Sequence, residues 1–100
     1  MLSLADLEHA MDQIEKTLEK AGYGWRNEAA LRSIQAQVFI IRMGRSDPYT
    51  MEKLATILSD ADILYSPHKA AKQGGSERVQ AEMLNLCQRI RSQAKWIDAQ

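Results

Sequence analysis

One hundred residues, 45% apolar and 26% charged, make about one domain with enough apolar side chain for a core of its own. Thirteen Lys and Arg balance thirteen Asp and Glu, which argues against a nucleic-acid or membrane-surface binder that works through overall positive charge. The longest unbroken apolar run, residues 38–41, is too short to cross a bilayer, and the single cysteine, Cys87, cannot close an intrachain disulfide.

Helix signals begin at once. Ser3 is a good N-cap, and Asp6 and Glu8 follow where negative charge suits a helix N-terminus. Leu4, Leu7, Met11, Ile14, Leu18 and Ala21 recur at intervals of three and four, one apolar stripe of helical period. Gly22 supplies the left-handed stop. The short turn Gly22-Tyr23-Gly24 then folds the next helix back on the first, with Tyr23 and Trp25 expected to plug that end.

The second helix is predicted from about Trp25 to Met43, ended by Gly44, with Leu31, Ile34, Val38 and Ile41 as its stripe. Asp47 as N-cap and Pro48 at the first helical position start the third. That helix carries Met51, Leu54, Ile57, Leu58, Ala61, Leu64 and Tyr65. Ser59 and Asp60 both favour caps and mark a candidate break, and Ser66-Pro67 ends the helix. Residues 66–76 form the one long connection, within which residues 68–73 can hold a helical turn. Ser76 is the expected cap of a fourth helix striped by Val79, Met83, Leu86, Ile90, Ala94 and Ile97. No strand-like alternation persists.

Charge by segment suggests how the helices pair. Residues 1–24 carry five acids and two bases, residues 25–45 one and four, residues 46–65 four and one, and residues 66–100 three and six. The net charges run −3, +3, −3, +3. An up-down-up-down arrangement sets each helix beside its sequence neighbours and the first beside the last, so every adjacent pair attracts. The predicted fold is therefore an all-α, antiparallel (up-down-up-down) four-helix bundle, a single domain over residues 1–100. The start of the chain has no secretory-signal pattern, and with one cysteine the expected location is cytoplasmic.

Catalytic and metal signals are thin. Two histidines and one cysteine are the whole soft-ligand inventory, short of a paired metal motif. His9 lies opposite its helix's apolar stripe and reads as surface, whereas Cys87 flanks a stripe and reads as a small core residue. His68 precedes Lys72 and Gly74, a pattern that invites comparison with histidine-phosphotransfer bundles. The lysine is one position too far, however, and Pro67 and the glycines break the helix that would carry the histidine. Lys72-Gln73-Gly74-Gly75-Ser76 reverses the order a phosphate-cradling loop requires. No enzyme, cofactor or metal role is assigned.

The stronger signal is surplus apolar surface on the second helix. Ala29, Ser33, Ala36, Ile40 and Met43 recur at intervals of four and three on nearly the opposite side from the core stripe, with Phe39 between the two faces. This seam is either buried between neighbouring helices or a contact face for a protein partner or a second copy of the chain. The expected function is a non-catalytic protein-protein interaction module, a small regulator, inhibitor or assembly subunit, with Ala29, Ala36, Phe39, Ile40 and Met43 as contact residues. The alternative is a weak nucleic-acid binder using Lys69, Lys72, Arg89, Arg91, Lys95 and the stacking surface of Trp96. Nucleic acid is the less favoured partner, because these bases have acidic segments to pair with across the bundle.

Gly74-Gly75 maximises backbone freedom, and only Ala70 and Ala71 offer apolar anchors nearby. Residues 66–76 are therefore expected to exchange their amide hydrogens faster than any other internal segment. Mass-spectrometric hydrogen exchange checks this, and protection across the whole segment would contradict it.

Overall fold

The computed structural model describes residues 2–22 and 26–99. The described residues form five helices and no strand: α1 (Leu4–Ala21), α2 (Glu28–Gly44), α3 (Pro48–Leu64), a short α4 (Pro67–Lys72) and α5 (Ser76–Asp98). The fold is all-helical, and the helices pack as a bundle.

Local chemistry sets most of the ends. Ser3 accepts the Asp6 amide at 3.1 Å, and Asp47 accepts the Thr50 amide at 2.9 Å with Pro48 beginning α3. Gly22 follows α1 with a φ of 65°, in the region where a side chain would be strained. The structure also departs from the sequence reading. The second helix begins at Glu28, because Asn27 accepts the Ala30 amide at 3.0 Å and supplies the cap. Gly44 is its last helical residue and Arg45 its C-cap. There is no break at Ser59-Asp60, since α3 runs through both. Ser76 is the first residue of α5 rather than its cap; Gly75 holds that place, with a φ of 101°. Tyr23 and Trp25 lie outside the described residues.

The long connection contains α4, seated by one small side chain. Ala70 is buried, whereas Ala71 is exposed. The Gly75 amide donates to the Ala70 carbonyl at 2.8 Å, which ties the glycines back to this turn.

One core collects the stripes of all four long helices. Leu7, Met11, Ile14 and Leu18 meet Ile34, Val38 and Ile41, then Leu54, Ile57 and Leu64, then Val79, Met83 and Ile90. Truncating such a side chain typically costs about 2–5 kcal/mol. Helix α1 packs against α2 and α5, and α3 packs against α5 and α2, while α4 lies against α3 and α5. Among the described residues α1 makes no close approach to α3, nor α2 to α5.

Polar contacts fix the ends of this packing. The Leu2 amide donates to the Gly44 carbonyl at 3.0 Å, and a Cβ at position 44 would lie 2.9 Å from the Leu2 nitrogen. Glycine is needed there for the chain to approach so closely. At the other end, the Gln80 side chain donates to the Leu18 carbonyl at 2.9 Å. The charged segments meet between α1 and α5, where Arg91 bonds Asp12 and Glu15, and Lys95 lies 3.6 Å from Glu8.

Arg45 is the most deeply buried charge. Its guanidinium donates two bonds to the Asp98 carboxylate, at 3.1 and 2.8 Å, and its side chain is 2% exposed. This forked pair ties the α2–α3 junction to the end of α5. Asp98→Ala leaves the guanidinium without its counter-charge and is expected to lower stability by about 2 kcal/mol. Urea denaturation checks this, with Arg45→Met as the companion variant expected to lose less, because the charge it leaves unpaired, Asp98, is far less buried than the guanidinium.

Candidate protein-binding face

Helix α2 is amphipathic twice over. Its inner side buries Ala30, Ile34, Val38 and Ile41. Its outer side leaves Phe39 64%, Ile40 46% and Met43 74% exposed, three of the four exposed large apolar side chains in the described residues. Ala29 and Ala36 are exposed beside them, and Ser33 is half-buried. Of the two readings the sequence leaves open, burial of this seam inside the bundle does not occur. Among the described residues helix α2 has neighbours only on its α1 and α3 sides, and its far side is exposed.

The seam stands on a rigid support. Core side chains lie beneath it, and Ser33 Oγ shares a hydrogen bond with Thr17 Oγ1 at 3.2 Å, which pins the α1 flank. Thr17 Oγ1 also donates to the Gln13 carbonyl at 2.9 Å. Small residues at one end and large ones at the other give the face a taper. The face offers shape and apolar area.

The residues considered for nucleic acid do not come together on one face. Arg91 and Lys95 face the acids of α1. Lys69 bonds Asp62 of α3 at 2.6 Å. Arg89 and Trp96 are exposed, and seven residues apart they share a different side of α5, while Lys72 is exposed on α4. His68 is exposed on α4 and His9 on α1. Cys87 is fully buried, and burial pushes its thiol up to about 12, which leaves it a poor nucleophile. Among the described residues no three His, Cys, Asp or Glu side chains gather as a metal site would require. A cleft lined by Gly44, Arg45, Ser46, Asp47 and Ile97 lies beside the Arg45–Asp98 pair.

One buried acid was not anticipated. Asp60 sits inside α3, 8% exposed, and its Oδ2 has no hydrogen-bond partner. Burial, and after it the neighbouring Glu82 carboxylate of α5, together raise its pKa to about 6. The signal was in the spacing: Ile57, Asp60 and Leu64 fall three and four apart on the inward stripe. Its reputation as a capping residue hid that position. Thr50 Oγ1 and Tyr65 Oη are likewise buried without partners.

No family model, no curated protein and no solved structure matches this chain.

The raised pKa of Asp60 has a definite sign. The folded state holds this proton more tightly than the unfolded chain, so the stability it contributes is complete below about pH 4 and is lost as pH rises through about 6. Asp60→Asn is expected to stabilise the protein above about pH 7 by about 2 kcal/mol, with the gain vanishing near pH 4. Thermal melts across that range check it.

Proposed function

We propose that this chain is a non-catalytic protein-interaction module, a small regulator, inhibitor or assembly subunit, whose contact surface is the outer face of α2. The observation that carries this reading is the exposure of Phe39, Ile40 and Met43 together on one well-anchored helix. Isolated exposed apolar residues are ordinary, but three large ones on one seam make a patch of the kind that marks binding surfaces. Ala29 and Ala36 extend the seam and let another helix approach closely.

The scaffold we infer is an antiparallel four-helix bundle of α1, α2, α3 and α5. Three contacts support that topology. Leu2 bonds the end of α2, Gln80 near the start of α5 bonds the end of α1, and Arg45 clasps Asp98 at the end of α5. The alternation of segment charge agrees with it. A protein partner or a second copy suits the apolar face better than nucleic acid does, since Arg91, Lys95 and Lys69 are already engaged with carboxylates. A cytoplasmic setting fits the single buried thiol.

The test is the double variant Ile40→Glu with Met43→Glu. It is expected to retain the helical circular-dichroism signal and cooperative melting of the wild type while losing its protein contact, read by light scattering and by binding assays. Unfolding of this variant would mean that the face serves the core and not a partner.

A further inference from the structure

On the outer face of α2, residues seven apart line up in rows along the helix. Ala29, Ala36 and Met43 form one row along its centre. Arg32 and Phe39 form a second row on one flank, and Ser33 and Ile40 a third on the other. Beyond the Arg32 flank lies a fourth, Glu28, Gln35 and Arg42. Rows of this spacing are the ones that meet when two helices pack side by side. Each row also pairs a small or charged member at its start with a bulky or opposite member at its end.

We propose, resting on the reading of this face as a protein contact, that its occupant is the α2 helix of a second copy of this chain, packed antiparallel about a twofold axis at Ala36. Antiparallel self-pairing sets the start of each row against the end of the same row in the partner. Along the centre, Met43 of each copy then fills the space over Ala29 of the other, and the two Ala36 residues meet at the axis, where small side chains permit close approach.

The flanks match under the same operation. Arg32 comes over the Phe39 ring of the other copy, within the geometry of a cation–π contact. Glu28 comes within about half a turn of the opposing Arg42, a distance two long side chains span. Ile40 reaches the half-buried Ser33 on the α1 side. Among the described residues neither Arg32 nor Arg42 is engaged in an ion pair, and Glu28 bonds only the exposed Arg26. A parallel arrangement fails on the same facts. It would stack Met43 on Met43 and Ala29 on Ala29, leaving a gap at one end, and, because a twofold axis along the helices sets each flank against the opposite one, would carry Arg32 away from Phe39 and Glu28 away from Arg42. Residues 25–45 carry a net +3 in each copy, and the Glu28–Arg42 pairs offset part of the repulsion this sets between the two helices.

Light scattering over a concentration series and disulfide trapping test the arrangement. The wild type is expected to approach twice the 11.3 kDa chain mass as concentration rises. Under mild oxidation Ala36→Cys should form a covalent dimer, and so should the double variant Ala29→Cys with Met43→Cys. Ala29→Cys alone and Met43→Cys alone should remain at least tenfold less cross-linked. Wild-type Cys87, buried, provides the uncross-linked control. Cross-linking of Ala29→Cys alone or Met43→Cys alone as efficient as that of Ala36→Cys would overturn the antiparallel pairing. A wild type that stays monomeric at about 1 mM would overturn the second copy as occupant while leaving the face available to a different protein. Unfolding of the Ile40→Glu, Met43→Glu variant is the separate result that overturns the face itself.

Discussion

Four apolar stripes must close around one interior, and a helix can turn only one side inward. This constraint governs the rest of the molecule. Burying the inner sides of α1, α3 and α5 leaves these helices with mostly polar outer surfaces. Helix α2 carries apolar residues on two opposed sides. Ile34, Val38 and Ile41 take the interior. Phe39, Ile40 and Met43 are then directed away from it by the 100° step of the helix itself. The exposed patch follows from the core that is formed, without any local distortion.

Charge has two different roles around that core. On the surface, Arg91 and Lys95 meet the acids of α1, and such partly exposed pairs select neighbours more than they stabilise them. Inside, the consequences are larger. Arg45 is buried but doubly bonded to Asp98, so its charge is matched where three chain segments meet. Asp60 is buried near Glu82, a charge of the same sign, and Asp60 takes up a proton more readily as a result. The same helical interface that gathers Ile57 and Leu64 therefore holds an acid that opposes its own ionisation.

These features bear on the proposed function through rigidity. A contact face is most effective when its side chains need little ordering on binding. The seam of α2 rests on core residues, is capped at Asn27, is pinned through Ser33 and Thr17, and is held at its far end by Leu2 and Arg45. The backbone that presents Phe39 and Met43 is thus fixed before any partner arrives.

Much of the fold was legible along the chain. Stripe spacing identified Leu7, Ile34, Leu54 and Ile90 as interior, and Ser3, Asp47 and Gly22 marked helix ends, because periodicity and capping are local properties. The second apolar side of α2 was legible for the same reason. Its exposure was not, since burial depends on which helices flank α2, and only packing decides that. The Asp60–Glu82 proximity and the Arg45–Asp98 clamp were likewise invisible. They join residues distant in sequence, and a residue's preference for caps gives no measure of what faces it across a bundle. The sequence by itself determined where the helices run and which sides of them are apolar; the tertiary structure alone decided which apolar side meets water, because a closed core can admit only one side of each helix.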